Sequence, residues 1–345
     1  MQPMRAFGLL LLLAVLASPA WAQSGGARDS GDPDLGLFIR EGAADEHHLW
    51  LLGQTGSVVQ IDRQTGERSV VARDVTDILA EQGRVWALVA YQRPEWAERL
   101  PGDMAGLQDL RRPDAELVTI YSVGEPVALF AMGLDRPGVL TGEAVLTPED
   151  EQWSRTWLAA AIPGFATAAY DGEDTVYVGY NLGEWGGGLR RIDLATGSIQ
   201  FVSATAAGQR LKSASIIALA PDHGRPGCII VVEGLQHLSL RRGSVSRLCG
   251  DHVEELLVRE RSMALPVEGD AGGIDGFVVS DDGWIVVHGD GYTRIQGDRL
   301  EVHDAPPLDQ SLGGLRMSRE TDGLVFIARP SDSASERPPL AVPVY

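Results

Sequence analysis

The segment from Tyr180 to Gly188 combines residue types that suit ligand binding. Its sequence, YNLGEWGGG, supplies a carboxylate, a carboxamide, two aromatic rings and four glycines. Glycines let a backbone approach a ligand closely, and aromatic rings stack on sugars or other flat ligands. The alternative is that Trp185 packs between structural units while the glycines only turn the chain. We predict a ligand site formed by four of these residues: Tyr180, Asn181, Glu184 and Trp185.

Three later segments, 270–276, 280–283 and 288–291, combine acidic residues with glycine. Carboxylate oxygens on turns can bind Ca²⁺. None of the segments has the spacing of an EF-hand loop, however, and Asp-Gly is also a common sequence of tight hairpin turns. We expect turns and predict no cofactor. Ca²⁺ is kept as the alternative. The candidate ligands of a metal ion, whose identity the sequence does not give, are Asp275, His288 and Asp290.

The sequence lacks the common catalytic motifs, including G-x-S-x-G, H-E-x-x-H and the Walker loop. His223, His237 and His252 each follow a polar residue, but neighbours on a strand point to opposite faces. The sequence therefore favours a binding or scaffold protein over an enzyme.

Four stretches of the chain repeat one pattern of strands. The clearest copies, 49–66 and 176–197, both contain a turn of sequence D-x-x-T-G, and weaker copies begin at Cys228 and Trp284. Each copy reads as three short strands, and another apolar strand precedes most of them. Four-stranded units that cannot cover their own faces are stabilised by radial stacking. We therefore predict an all-β fold, a single β-propeller of four-stranded blades.

The spacing of the repeats favours seven blades of about 46 residues over six of about 54. The expected blades are 37–72, 75–132, 133–162, 165–204, 214–250, 274–304 and 313–345. The apolar segment 340–345 is expected to pair with strands near the amino terminus and so close the ring.

An insertion at 94–116 interrupts the rhythm of the second blade. Its apolar residues recur at intervals of three and four, which predicts one apolar helical face: Trp96, Leu100, Met104, Leu107 and Leu110. The insertion would either pack flat on the outside of the blade or form a lid over one end of the channel.

The phrase Val176-Tyr177-Val178-Gly179, followed by Trp185 to Asp193, resembles the blade repeat of bacterial sensor-type propellers and the wider WD40-like and YVTN-like groups. The resemblance covers one blade well and implies an architecture, not an activity. The G-H and W-D pairs of true WD40 repeats are absent. The resemblance is also compatible with an alternative function, a metal-dependent propeller hydrolase or lactonase with its site at the channel mouth.

The amino terminus has the pattern of a secretory signal peptide. Arg5 precedes an apolar run at 7–17, and Ala20-Trp21-Ala22 is a small-residue cleavage sequence. We predict a signal peptide at 1–22, cleavage before Gln23, a flexible lead-in at 23–34 and a propeller over 35–345. The apolar run is too short to span a bilayer. We therefore expect a periplasmic or secreted protein without a membrane anchor.

Cys228 and Cys249 are the only two cysteines. An even number of cysteines in an exported protein is compatible with a disulfide. If 228–233, 236–241 and 244–249 were three successive strands, however, the cysteines would lie at opposite edges, farther apart than the usual Cα separation of about 5.5 Å. The sequence leaves both states open.

The chain is strongly acidic, with 48 acidic and 29 basic side chains and a net charge of −19. Such a surface repels nucleic-acid phosphates and anionic lipids. We therefore expect a monomer that binds a protein, a carbohydrate or another small molecule, and no nucleic acid.

Overall fold

The computed structural model of the protein describes part of the chain. The described residues are 39–45, 47–91, 103–112, 117–122, 124–149, 152–164, 166–182, 187–202, 211–222, 224–237, 240–261, 274, 276–280, 283–288, 291–297, 299–304, 312–319, 324–330 and 340–344. The predicted signal peptide and lead-in lie outside these residues. No helix among the described residues is long and apolar enough to cross a bilayer.

The described residues form 27 strands. In chain order they are β1 Ile39–Ala44, β2 His48–Gly53, β3 Val58–Asp62, β4 Arg68–Ala72, β5 Val75–Glu81, β6 Arg84–Tyr91, β7 Asp103–Asp109, β8 Val118–Ser122, β9 Pro126–Phe130, β10 Gly138–Thr141, β11 Ala144–Glu149, β12 Gln152–Trp157, β13 Ala166–Tyr170, β14 Thr175–Asn181, β15 Gly187–Asp193, β16 Ile199–Phe201, β17 Ile216–Pro221, β18 Cys228–His237, β19 Leu240–Cys249, β20 His252–Arg261, β21 Gly276–Ser280, β22 Gly283–His288, β23 Gly291–Gln296, β24 Arg299–Asp304, β25 Leu312–Arg319, β26 Leu324–Pro330 and β27 Leu340–Val344.

The strands form an all-β propeller, as the repeats predict. Six antiparallel four-stranded blades follow one another along the chain, from β1–β4 to β21–β24. The segment expected to form a seventh blade is a three-stranded sheet, β25–β27. The first strand of each sheet contacts the first strands of its neighbours, and β25 contacts both β21 and β1. The first strands therefore surround a central channel.

Each blade buries both of its faces against neighbouring blades. In β2, the consecutive residues Leu49 to Leu52 are all at most 1% exposed, although their side chains alternate between the two faces. Leu49 and Leu51 belong to one apolar cluster, whereas Trp50 and Leu52 pack against residues of the second blade. A second strand covered on both sides explains why these stretches read as continuous apolar runs.

The D-x-x-T-G turns form as predicted between the third and fourth strands of the first and fourth blades. Asp62 accepts a hydrogen bond from the backbone N–H of Thr65, and Asp193 accepts one from that of Thr196. The backbone N–H of Thr65 lowers the pKa of Asp62, and the hydroxyl and the backbone N–H of Thr196 lower the pKa of Asp193. The final glycine has a positive φ in both turns, a conformation that glycine adopts without strain.

The fifth blade differs from the expectation in its strands and shows the disulfide. The segment expected to form three short strands forms two strands of ten residues, β18 and β19, which place Cys228 directly opposite Cys249. Their Cα atoms are 4.3 Å apart and the sulfurs are bonded. The geometric objection to the bond was therefore wrong, because it depended on a turn that does not form.

Glycines account for that error. Gly234 and Gly243 face each other in the middle of the hairpin. A Cβ atom on Gly234 would lie 2.8 Å from the side chain of Ile217, and one on Gly243 would lie 2.5 Å from that of Ile274. The glycines therefore admit neighbouring side chains and do not turn the chain.

Two other expectations are corrected. Residues 103–109 of the expected helical insertion form strand β7, where Ala105 and Leu107 are buried with the period of a strand; residues 94–102 and 113–116 lie outside the described residues. The segment 340–344 pairs with β26 as the third strand of the last sheet, not with strands near the amino terminus. Ring closure in the described residues comes from the contacts of β25.

We predict that replacing both cysteines with serine lowers the free energy of unfolding by about 3 kcal/mol. The cysteines are 21 positions apart, and the bond closes this loop in the unfolded chain, which lowers the entropy of the unfolded state. Denaturant unfolding of the wild type and of the double variant, each with and without a reductant, measures the effect. Reductant should destabilise the wild type and leave the variant unchanged. A wild type that is insensitive to reductant would show that the bond adds no stability.

Candidate functional site

One end of the propeller collects most of the segments that the sequence singles out. We define the upper end as the end where the first strand of each sheet begins. Because adjacent strands are antiparallel, the second strand ends and the third begins at this same end. The end of β14, the end of β22 at His288 and the start of β21 therefore lie at the upper end. The end of β21 at Ser280 lies at the opposite end.

The predicted ligand residues on β14 divide into a buried and an exposed part. Tyr180 is 3% exposed and packs in the apolar cluster between the third and fourth blades. Its ring is a packing element and offers no free face for stacking. Asn181 is exposed at the end of the strand, and Leu182 beyond it is 56% exposed. Glu184 and Trp185 lie outside the described residues.

The glycines that begin β15 bring two parts of the chain together. Gly188 has a φ of 111° and donates its N–H to the carbonyl of Ala214 at 2.8 Å. A Cβ atom on Gly188 would collide with the carbonyl of Lys212, and one on Gly187 would collide with the carbonyl of Tyr180. We predicted that these glycines let the backbone approach a ligand. At Gly187 and Gly188, the group that comes close is instead another part of the same chain.

An arginine held between two aromatic rings lies on the face of the fourth blade that packs against the third. The guanidinium carbon of Arg190 is 4.9 Å from the ring centre of Tyr180 and 4.9 Å from that of Phe201. Phe201, on the outer strand, is 50% exposed. Burial raises the pKa of Tyr180, and the positive charge of Arg190 partly opposes this. We call these three residues the aromatic–arginine stack.

Sequence reasoning missed this stack. Arg190 pairs with Val178 on one side and with Phe201 on the other, so these three side chains share one face of the sheet. Tyr180 lies two residues after Val178 and therefore on the same face. Strand alternation would give this grouping once the register were known. The register of β15 with β16 depends on the D-x-x-T-G turn between them, so the signal was present in the sequence.

Of the three candidate metal ligands, the structure describes only His288. His288 is 1% exposed, and its Nε2 lies 3.1 Å from the hydroxyl of Thr293 inside the sixth blade. Asp275 and Asp290 lie outside the described residues. Among the residues that the structure does describe, no group of three or more His, Cys, Asp or Glu side chains could hold a metal ion.

Two carboxyl groups join the first three blades at the wall of the channel. The carboxylate of Glu41 on β1 accepts the backbone N–H of Ile78 on β5 at 3.2 Å. Asp77 on β5 accepts the N–H of Leu129 on β9 at 2.6 Å. A bulge at the start of β1 and another at the start of β5 place both carboxyls in equivalent positions. Each satisfies a backbone donor of the next blade that no strand covers.

The two carboxyls also contact each other. Burial raises the pKa of Asp77 well above its usual range, and the charge and the hydrogen bond of Glu41 raise it further. The N–H of Leu129 and the charge of Arg40 act in the opposite direction. Asp77 therefore keeps its proton to a higher pH than an isolated aspartate does, and the hydrogen bond between the two carboxyls shares that proton.

A second polar cluster joins the strands of the fifth blade. Arg247 is 2% exposed and contacts Asp222 at 2.6 Å and Glu254 at 2.7 Å. Its guanidinium lies 5.8 Å from the ring of Trp284 on the sixth blade. The arginine lowers the pKa of Glu254 by hydrogen bonding. The cluster is fully paired, which indicates a structural role.

Comparison with known proteins supports the fold. The chain matches no known protein family, and no curated protein matches it. Among solved structures, it resembles the extracellular domain of a hybrid two-component system from B. thetaiotaomicron, with 11% identity, a TM-score of 0.50 and coverage of 84% of this chain. This chain spans only 37% of that protein.

Two further structures are similar over most of their length. YCF48 bound to the D1 peptide has 11% identity and a TM-score of 0.52, with 85% of this chain and 89% of that chain covered. The WD40 propeller domain of Doa1 has 11% identity and a TM-score of 0.51, with 86% and 90% covered. At this identity the likeness establishes the fold alone: the chain has a β-propeller fold.

We predict that Asp77→Asn stabilises the protein at neutral and alkaline pH. A raised pKa in the folded state means that wild-type stability falls as the pH rises from the unfolded value of about 4 through the folded value. The side-chain oxygen of the asparagine still accepts the N–H of Leu129, and its NH₂ group donates to Glu41. Because an amide does not titrate in this pH range, both hydrogen bonds persist as the pH rises. Its advantage over the wild type should grow as the pH rises.

Urea unfolding between pH 4 and pH 8 measures this difference. Asp304→Asn, at an exposed position at the end of β24, is the matched control and should change stability by less than about 0.5 kcal/mol. An Asp77→Asn variant that is less stable than the wild type at pH 8 would contradict the shared proton.

Proposed function

We propose that the protein is an exported β-propeller that acts as a binding module. Its ligand, a protein or a small molecule, meets the upper end of the fourth blade. The observation that carries the proposal is the tip of β14, where Asn181 and Leu182 are exposed directly beyond the buried Tyr180. An exposed apolar side chain beside a carboxamide, on a rigid strand, is a suitable anchor for a ligand.

Two features support export. The amino-terminal sequence has the charged start, apolar run and small-residue end of a signal peptide. The bond between Cys228 and Cys249 forms and persists in oxidising compartments. A periplasmic or secreted location accounts for both.

Similar folds also support a binding role. The structures that resemble this chain include an extracellular domain of a sensor system and a propeller bound to a peptide. A propeller fold does not determine the activity of a protein. The blades provide the architecture, and the binding residues lie on loops and at the ends of strands. The proposal therefore depends on the fourth blade of this chain and not on the likeness.

The proposal is tested by selecting binders from a random peptide library and from an oligosaccharide panel. The selected binders are then titrated against Leu182→Asp and against Val302→Asp, which changes an apolar side chain of 69% exposure on the outer strand of the sixth blade. We expect Leu182→Asp to weaken binding at least tenfold, because a buried apolar anchor of an interface is worth about 1–2 kcal/mol or more.

Both variants should melt at the wild-type temperature, because both positions are exposed. Val302→Asp should bind as the wild type does. Binders that tolerate Leu182→Asp, or that are lost equally with Val302→Asp, would place the binding surface elsewhere and refute the proposal.

A further inference from the structure

We propose that Arg190 of the aromatic–arginine stack binds a carboxylate group of the ligand. The inference rests on the proposed function, because the stack lies on the same blade as the tip of β14. It adds what that function leaves open, the chemical class of the ligand: an organic acid whose carboxylate lies next to an apolar or aromatic group.

Two aromatic rings lie close to the guanidinium of Arg190. Tyr180 and Phe201 each lie 4.9 Å from its carbon and so occupy its neighbourhood with aromatic surface. Aromatic contacts hold the planar group in place through cation–π attraction. What remains for a ligand is the edge that carries the N–H donors. A carboxylate binds to such an edge through two parallel hydrogen bonds.

Among the described residues, Arg190 has no acidic partner. Its neighbour Arg191, on the opposite face of the strand, contacts the carboxylate of Asp251 at 3.0 Å and the side-chain oxygen of Gln200 at 3.1 Å. Arg247 contacts two carboxylates. In the part of the chain that the structure describes, the contacts of Arg190 are therefore with aromatic rings, whereas Arg191 and Arg247 have carboxylate partners.

Two polar atoms of the stack are buried and make no hydrogen bond. They are the Nε of Arg190 and the hydroxyl of Tyr180, whose side chain is 97% buried. An unmade hydrogen bond at a buried group is costly, so a ligand that supplied the missing partner would gain that free energy. A ligand oxygen bound at the edge of the guanidinium would supply an acceptor.

The face of the third blade that packs against the fourth carries neutral side chains on β11 and β12 between Val145 and Glu149. Val145 faces the fourth blade, and strand alternation and pairing place Thr147, Ser154 and Thr156 on that same face. The hydroxyl of Thr156 donates to the carbonyl of Leu194 at 2.7 Å, which confirms the orientation. Neutral hydroxyls opposite an arginine accommodate a single negative charge.

A carboxylate fits better than a phosphate. Recognition of a phosphate dianion usually draws on several cationic groups or backbone donors, and here one guanidinium is available. The net charge of −19 repels a dianion more strongly than a monoanion. The exposed ring of Phe201 and the exposed side chain of Leu182 offer apolar surface for the rest of the ligand.

Titration with N-acetyl-L-phenylalanine tests the inference, followed through the ¹H–¹⁵N signals of arginine side chains. The Nε–H signal of Arg190 is assigned by its loss in Arg190→Lys. We expect this signal to shift with saturation on adding the acid, and not on adding N-acetyl-L-phenylalaninamide. Inorganic phosphate should shift it less. A signal that stays in place with the acid, or that moves equally with the amide, overturns the inference.

The source of the carboxylate is resolved by two peptides. One ends in a free phenylalanine carboxylate, and the other has an amidated end and a glutamate next to phenylalanine. Whichever binds more tightly identifies a terminal or a side-chain carboxylate as the preferred source. Arg190→Gln should weaken that peptide at least tenfold, and Arg190→Lys should weaken it less, because an ammonium group cannot form the paired hydrogen bonds.

Arg191→Gln is the matched control and should bind within twofold of the wild type. If Arg190→Gln unfolds, Phe201→Ala serves instead, since it removes one wall of the stack at a half-exposed position and should still weaken binding. Binding that survives both Arg190→Gln and Phe201→Ala overturns the inference.

Two variants separate this inference from the proposed function. If Leu182→Asp abolishes binding of the selected ligand and Arg190→Gln does not, the proposed function stands and the carboxylate site is wrong. If neither variant weakens binding, both proposals are wrong.

Discussion

The fold depends on the burial of both faces of every blade. A sheet such as β1–β4 has apolar residues on each face, so it is stable only when a neighbour covers each side. Stacking such sheets in a row leaves two uncovered faces at the ends, and closing the row into a ring covers them. The contacts of β25 with both β21 and β1 are therefore the condition on which the other contacts depend.

Polar groups join blades where apolar contacts cannot. The first strands have one edge that no strand covers, and Glu41 and Asp77 satisfy two backbone donors on such edges. The cost is a pair of adjacent carboxyls, which is reduced by a shared proton. In the fifth blade, Arg247 is paired twice and the disulfide closes the hairpin beside it. These polar contacts and the disulfide fix the relative positions of the strands. Residues that bind a ligand depend on those fixed positions.

The architecture could be predicted from the sequence because the repeats carry local chemistry. Asp62 and Asp193 hold their turns through the same hydrogen bonds that make D-x-x-T-G recognisable. The errors occurred where packing between blades overrides a local signal. The sequence predicts turns at Gly234 and Gly243. Both glycines instead lie within β18 and β19, where the side chains of Ile217 and Ile274 pack against them. In the same way, the three- and four-residue spacing around Leu107 indicated a helix, while pairing with β6 makes it a strand.

The candidate site could be predicted only in part. The sequence located the fourth blade and its glycine-rich segment, since unusual composition is visible without a structure. It assigned Tyr180 to ligand stacking, whereas burial between blades makes that ring a support for Arg190. It missed Arg190 and Phe201, because their grouping depends on strand register. His288, a candidate metal ligand in the sequence, is buried against Thr293.

Native-state hydrogen exchange tests the closed ring most directly. If covering both faces of every sheet holds the propeller together, backbone amides in the first strands of all sheets, β25 included, should exchange with one common free energy, that of global unfolding. Exchange in β25–β27 that is much faster than in β1 and β21 would show that the last sheet opens independently, and would contradict a ring whose stability depends on closure.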